Sequence, residues 1–324
     1  MDRREFLLGA AAVPVALAVD SSALASRIGG TAVAFVTADL ESHVVVVELR
    51  SGKTIARIPT APGPRSIESV HGRTALAAHT EHGLVTLIDA LSRRVRAEVD
   101  AFESPRYTAV HPTPSLHSLA YLTDSASQEI VVLDVDRAKV VWRTRVPGPA
   151  RHVSVSPDGS TLWTVLGTTA ERVAVLDTSD PRRPKLVRTF AAPFLAHDVV
   201  FTPDGRAVWV TSGDERRIAL YRAGSRSPAR IISADAPPQH VAFARGKVFV
   251  ASGDDGTLRR HRLDGELVRE ARVPVGSYNV TVDHGRIVTP SLGHGTVSVL
   301  DRNGHVRSVR RVARAAHDAC ILVT

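Results

Sequence analysis

The most constraining feature of this chain is a short sequence unit that recurs seven times at nearly constant spacing. Most units follow a proline or an alanine, and each continues into a short apolar strand. A period near forty residues built from short strands predicts a β-propeller in which each repeat forms one four-stranded blade. We therefore expect an all-β, seven-bladed propeller. The units begin at Arg65, Arg106, Arg151, His197, Gln239, Tyr278 and His317, which are 41, 45, 46, 42, 39 and 39 residues apart.

The unit is clearest in the fourth repeat. Residues 151–155 alternate as an inner strand, and Ser156-Pro157-Asp158-Gly159 has the composition of a tight turn. Residues 162–166, 173–177 and 186–190 then supply three further strands, the last of them at the rim. Each repeat therefore holds the four strands that one blade needs.

The turn motif is followed by Trp163, and the next repeat has Thr202-Pro203-Asp204-Gly205 followed by Trp209. These motifs resemble the YVTN-type propeller repeat, whose superfamily includes the lactonase-like propellers and the haem domain of cytochrome cd1 nitrite reductase. The resemblance spans residues 31–324. It implies the architecture and leaves the activity open, because propellers host many unrelated functions. We expect Trp142, Trp163 and Trp209 to pack between blades.

The two ends of the chain predict how the ring closes. After His317 the chain supplies a single strand, and residues 31–36 have the pattern of a second strand with no first strand before it. We therefore expect the C-terminal strand to complete the N-terminal blade. Such a clasp removes two sheet edges and fastens both termini.

Residues 1–25 have the organisation of an export signal. A start containing Arg3 and Arg4 precedes an uncharged segment from Gly9 to Val19, which is too short to span a bilayer, and small residues precede a cleavage position after Ala25. The paired arginines resemble a twin-arginine signal, which implies export of the folded protein. An ordinary secretory signal or an uncleaved anchor is the alternative. We expect residues 26–324 to be one domain in the periplasm, at the cell surface or secreted, without a transmembrane segment.

Composition argues against a nucleic-acid partner. The net charge is +8, but the arginines are scattered and aromatic residues make up only 5% of the chain. A nucleic-acid surface needs clustered basic residues, preferably with aromatic residues among them.

Cys320 is the single cysteine, so no intramolecular disulfide can form. We expect a monomer, and we expect its core to be large enough for the chain to fold without a disulfide.

In a propeller, the inner strands start at one mouth of the central channel, so the first two residues of the seven units should form a polar ring there. Convergence of polar groups on one concave face predicts a ligand site. Polar side chains that only solvate a water-filled channel are the alternative. The second residues of the units are Ser66, Tyr107, His152, Asp198, His240, Asn279 and Asp318.

Arg65, Arg106 and Arg151 start three consecutive repeats, and no carboxylate occupies the equivalent positions. Like charges held together are unfavourable unless an anion offsets them. We therefore predict that these arginines, together with Gln239 and Tyr278, bind a small anionic molecule such as a carboxylate or a phosphate. A protein partner at the same mouth is the alternative.

The opposite side of the ring is rich in histidine, and two of these histidines are followed by aspartate. A histidine beside a carboxylate is typical of metal sites, so a metal ion is one candidate ligand. A lactone or ester hydrolase is implied by the lactonase-like resemblance, with His197, Asp198, His317 and Asp318 as candidate acid–base residues. The candidate metal ligands are His152, His197, His240 and His317.

The sequence requires no cofactor. It contains no Gly-x-Ser-x-Gly elbow, no Walker loop and no cysteine-based metal motif. We therefore expect an exported binding module that recognises a small anion or a protein at its polar mouth. An enzyme at the same mouth, either a hydrolase or a metal-dependent catalyst, is the alternative.

Overall fold

Seven sheets of four antiparallel strands make up the fold in the computed structural model, which describes residues 30–113, 118–167 and 170–324. Thr31–Thr324 form one compact unit. The predicted signal peptide, residues 1–25, lies outside the described residues. Across the described ranges, no helix is long and apolar enough to cross a membrane.

The sheets are the blades of the propeller, numbered 1 to 7 along the chain. Blade 1 contains β1 (Ala32–Ala38), β2 (His43–Glu48) and β3 (Thr54–Pro59). Blade 2 contains β4 (Ser66–Val70), β5 (Thr74–His79), β6 (Leu84–Asp89) and β7 (Arg94–Asp100). Blade 3 contains β8 (Pro105–Val110), β9 (Leu119–Asp124), β10 (Glu129–Asp134) and β11 (Lys139–Arg145). Blade 4 contains β12 (Ala150–Val155), β13 (Thr161–Leu166), β14 (Arg172–Asp177) and β15 (Lys185–Ala191).

The remaining blades follow the same plan, with shorter inner strands. In blades 2 to 7 the strand order from the channel to the rim is the chain order. Blade 5 contains β16 (Val199–Phe201), β17 (Ala207–Thr211), β18 (Arg217–Arg222) and β19 (Arg230–Ser233). Blade 6 contains β20 (Val241–Ala244), β21 (Lys247–Ser252), β22 (Thr257–Arg262) and β23 (Leu267–Arg272). Blade 7 contains β24 (Thr281–Asp283), β25 (Arg286–Ser291), β26 (Thr296–Asp301) and β27 (Val306–Arg311).

Blade 1 is completed from the far end of the chain. β28 (Ala316–Val323) pairs antiparallel with β1 and becomes its inner strand, with Phe35 opposite Cys320. Thr31 and Thr324 extend the pairing through two backbone hydrogen bonds of 2.9 and 3.1 Å. This arrangement confirms both the seven-bladed propeller and the predicted closure of the ring.

The core consists of apolar layers between neighbouring blades. Between blades 1 and 2, Phe35, Ile67 and Cys320 are buried in one cluster. Trp163 and Trp209 are almost fully buried, as expected. Trp142 on β11 faces the cleft between blades 3 and 4 but is only partly buried there, with 40% of it exposed. β11 is an outer strand, and blades diverge toward the rim, so a side chain there is only partly covered.

The tight turn predicted in blade 4 is present between β12 and β13. Asp158 Oδ1 accepts the backbone N–H of Ser160 at 3.0 Å, which fixes the turn locally. Gly159 follows with a φ of +76°, a left-handed conformation that residues with a side chain rarely adopt. The turn therefore explains why aspartate and glycine occur together here.

We expect the clasp to be a main source of stability. Ile321 on β28 is 3% exposed, so Ile321→Ala should lower the free energy of unfolding by about 2–5 kcal/mol through lost burial and a residual cavity. Val309 on β27 is 42% exposed, and Val309→Ala should cost less than about 1 kcal/mol. Urea denaturation of both variants is the measurement. Equal losses of unfolding free energy in the two variants would show that the buried residue of the clasp contributes no more to stability than an exposed residue of the rim.

Candidate functional site

Arginine side chains lie along one side of the mouth, and their charges act on one another. Arg65 Nη1 lies 2.9 Å from Asp39 Oδ2, so this guanidinium has a carboxylate partner. Asp39 follows β1 and does not start a repeat, which is why comparison of equivalent positions missed it. The equivalent positions hold no carboxylate, but the inference that the arginine charges are unpaired is wrong for Arg65.

Arg106 is a partly buried cation of this group. Burial, with the like charges of Arg151 and Arg65, lowers the pKa of its guanidinium. Its Nε atom is buried and donates to no partner within the part of the chain that the structure describes. A buried donor without an acceptor is costly, so this nitrogen marks a position that an anion can satisfy.

Three histidines from blades 4, 5 and 6 converge beside the arginines. One ring nitrogen each of His152, His197 and His240 lies within 4.8 Å of the other two. The Nε2 atoms of His152 and His240 are 3.2 Å apart. The ring of Tyr107 covers His152, with 3.6 Å between the ring centroids. Repeat spacing could not show this convergence, because each histidine comes from a different blade.

The histidines are held in their neutral form. Burial, with the positive charges of Arg151 and Arg106 as further contributors, lowers the pKa of His197 to about 4. Burial also holds the pKa values of His152 and His240 well below the usual range. A neutral imidazole has a nitrogen lone pair, which is what a metal ion requires.

The spacing of the imidazoles suits a single ion and can be tested against ideal geometry. Two nitrogens bound to one tetrahedral ion at about 2.0–2.1 Å are roughly 3.3 Å apart, whereas two nitrogens on opposite sides of an ion are about 4 Å apart. The 3.2 Å between His152 Nε2 and His240 Nε2 matches adjacent ligands. The histidine triad could therefore hold a metal ion. The same spacing also permits an N–H···N hydrogen bond between the two rings.

Asp198 and Asp318 serve mainly to join blades. Asp198 Oδ2 accepts the N–H of Val241 in blade 6 at 3.0 Å, and Asp318 Oδ2 accepts the N–H of Ile67 in blade 2 at 3.0 Å. Burial raises the pKa of each carboxyl group to about 7. Asp198 Oδ2 also lies 3.6 Å from Nδ1 of His240, which is longer than a hydrogen bond. The aspartate therefore faces His240 and not its sequence neighbour His197.

The remaining predicted residues are held by hydrogen bonds to neighbouring strands and loops. His317 Nδ1 lies 2.8 Å from the carbonyl oxygen of Arg65, and burial lowers its pKa to about 4. Gln239 uses its amide on the backbone of Gly213, at 2.8 Å, and Gly253, at 2.7 Å. Tyr278 donates its hydroxyl to Asp254 at 3.0 Å. The structure thus brings His317 to the arginine side, whereas Gln239 shapes the loops of the mouth.

A cavity of about 310 Å³ in the channel is lined by the second residues of all seven units and continues along the inner strands. Glu68, Thr108, Ser154 and Thr281 line it with apolar neighbours. Glu68 is a carboxylate of this cavity that the repeat positions do not include. Burial raises the pKa of its carboxyl group to about 7. Sequence reasoning overlooked Glu68, although an acid within the apolar pattern of β4 is a visible signal.

No sequence model of a protein family matches this chain, and no curated protein matches it in sequence. Similarity to known proteins is therefore confined to solved structures. All three described below are less than 25% identical to this chain, so they show the fold alone.

The three structures share the propeller fold. The dihydro-heme d1 dehydrogenase NirN, solved in complex with DHE, has a TM-score of 0.61 and 18% identity; the match covers 87% of this chain and 64% of that one. A protein of unknown function from Desulfotomaculum acetoxidans DSM 771 has a TM-score of 0.75 and 14% identity, covering 90% and 98%. Hydrazine synthase from Kuenenia stuttgartiensis has a TM-score of 0.64 and 16% identity, covering 81% and 96%.

We expect Glu68 to make stability depend on pH. Its folded pKa of about 7 lies above the ordinary value of 4.5, so its contribution is fully present below about pH 4.5 and is lost as the pH rises through 7. Glu68→Gln is uncharged throughout. Melting temperatures should therefore be similar at pH 4 and higher for the variant at pH 8. A difference in melting temperature between the unaltered protein and Glu68→Gln that is the same at both pH values would contradict the raised pKa of Glu68.

Proposed function

We propose that this chain is an exported binding protein whose channel mouth takes up a small anionic molecule. The observation that carries the proposal is the concentration of Arg65, Arg106 and Arg151 beside neutral imidazoles, with an unused buried donor on Arg106. Export is proposed from the twin-arginine pattern of residues 1–25.

The chemistry of the mouth favours an oxygen-rich anion. Guanidinium groups form paired, charge-assisted hydrogen bonds to carboxylate and phosphate oxygens. Arg65 is already neutralised by Asp39, so Arg106, whose buried Nε has no acceptor in the described part of the chain, offers the donor for an anion. Neutral His197 and His317 can donate or accept a hydrogen bond without adding charge. A carboxylate or phosphate of metabolite size fits this combination.

A metal ion at the histidine triad is a second candidate, and the convergence of three nitrogens within 4.8 Å favours it. Imidazole ligands suit zinc, copper, iron and nickel. A bound ion would be held by His152, His197 and His240. It would supply Lewis-acid character at the mouth. NirN was solved with DHE, but the 3.2 Å between two imidazole nitrogens favours a single ion over a group held between them.

Hydrolysis of a lactone or ester is less well supported. A general base needs a free lone pair within reach of substrate. Asp198 accepts the N–H groups of Val199 and Val241, and Asp318 accepts those of Ala319 and Ile67. Both carboxylates are therefore committed to the backbone, and neither is directed at its preceding histidine.

Anion binding can be tested with citrate and inorganic phosphate as probes. Calorimetry on the full chain should show saturable binding of at least one probe. Arg106→Gln should weaken it by about 10–100-fold, the value of one hydrogen bond to a charged group. Arg206→Gln, at an exposed turn between β16 and β17, is the matched control. No saturable binding, or equal weakening by both variants, would refute the proposal.

Metal binding can be tested by titrating zinc and copper into protein treated with chelator. His240→Gln should lower the affinity by more than about 100-fold, since loss of outer-shell partners alone costs 10–100-fold. His294→Gln, an exposed histidine in the β25–β26 turn, should leave the affinity unchanged. Thermal unfolding of each variant reports whether the fold is intact. Equal affinities of the two variants would exclude the triad as the site.

A further inference from the structure

The outer rim of the propeller has a charge balance unlike the rest of the chain. The seven outer strands β3, β7, β11, β15, β19, β23 and β27 carry fourteen arginine and lysine residues and three carboxylates. Their excess of eleven positive charges exceeds the net charge of +8 of the whole chain. The residues outside these strands are therefore slightly acidic, and the basic character belongs to the rim.

The rim also carries exposed apolar side chains. Ten of the fifteen large hydrophobic residues that are exposed in the described ranges lie on the outer strands. Trp142 on β11, at 40%, and Leu186 on β15, at 39%, occupy neighbouring blades. Trp142 is paired with Val132, and Leu186 with Leu176, and both partners belong to the core between blades 3 and 4. The tryptophan and the leucine therefore face the same cleft.

Basic residues surround this apolar spot. The Arg183 guanidinium carbon lies 5.2 Å from the centre of the Trp142 ring, a cation–π contact. Arg137 and Arg182, from different blades, both bind the buried carboxylate of Asp134, at 3.1 and 3.3 Å. We define the rim patch of blades 3 and 4 as Arg137, Lys139, Trp142, Arg182, Arg183 and Leu186.

The carboxylates near the rim patch do not cancel its charge. Asp134 is shared by two arginines and is inaccessible to solvent. Asp136 accepts the N–H of Ser118 at 2.9 Å, and Asp180 accepts that of Arg182 at 3.1 Å. The four basic side chains of the rim patch still exceed the three carboxylates, and their neighbours Arg143, Arg145, Lys185 and Arg188 on β11 and β15 add to the excess.

We propose that the rim patch docks this protein on a bilayer that contains anionic lipids. Basic residues near such a surface are attracted to it, and tryptophan is favoured at the boundary between headgroups and acyl chains. Exposed Trp142 and Leu186 gain from that boundary, whereas a soluble polyanion offers them no apolar phase. The combination of charge and apolar surface therefore favours a lipid bilayer over a charged polymer.

The location of the rim patch is compatible with a working mouth. The patch lies on outer strands, whereas the arginines and the histidine triad lie where the inner strands begin. A propeller docked by its rim keeps both openings of the channel in solvent. Docking is thus independent of the proposed anion and metal sites, and either can fail without the other.

Tryptophan fluorescence provides a selective test. The chain has three tryptophans, and Trp163 and Trp209 are buried, so quenching by brominated acyl chains reports on Trp142. Vesicles of 70% phosphatidylcholine and 30% phosphatidylglycerol should bind the full chain at low salt and quench its fluorescence. Vesicles of phosphatidylcholine alone should not. Binding should weaken as salt is added.

Variants separate the charged from the apolar contribution. Lys139→Gln with Arg183→Gln should lower partitioning by roughly 30-fold, and Trp142→Ala should lower it further and abolish quenching. Leu267→Ser with Arg269→Gln, on the rim of blade 6, is the matched control and should bind normally. Failure of the unaltered protein to bind, or equal losses in the control, would overturn the proposal. Tight binding to heparin that Trp142→Ala does not affect would also overturn it, in favour of a polyanion.

Discussion

The pairing of β28 with β1 closes the ring of blades, and the arrangement of the blades around the channel depends on it. Seven blades can surround a common axis only if the last one is joined to the first. β28 makes that junction through backbone pairing with β1 and through burial of Cys320 and Ile321. It also carries His317 and Asp318 into the mouth. The strand that closes the ring therefore also supplies part of the mouth.

The second residue of each repeat has one of two uses. In four blades it bonds to the backbone of the next blade: Ser66 to Arg106, Asp198 to Val241, Asn279 to His317 and Asp318 to Ile67. In the other three blades it is Tyr107, His152 or His240, whose side chains meet at the mouth. Polar residues at equivalent positions thus divide between holding the ring together and forming the candidate site.

The period and the turn chemistry predicted the fold because both are local in sequence. The spacing near forty can be read by aligning successive repeats, the turn at Asp158 from four consecutive residues, and the closure from the incomplete blades at the two ends. The site could be predicted only as a ring of candidates. Which side chains meet depends on distances between repeats: Asp39 reaches Arg65, Asp198 faces His240, and Trp142 remains exposed. Such distances are set by the twist of each blade, which the sequence pattern does not encode.

Guanidinium groups and neutral imidazoles share the mouth, and their electrostatic preferences are opposite. The charges of Arg106 and Arg151 repel a divalent ion at the triad, just as they add to the burial that lowers the pKa values of His152 and His197. An anion bound by the arginines removes that repulsion, and a metal ion adds attraction for the anion. By thermodynamic linkage, each ligand must raise the affinity for the other by the same factor. An anion and a metal ion would therefore occupy this mouth as one coupled site.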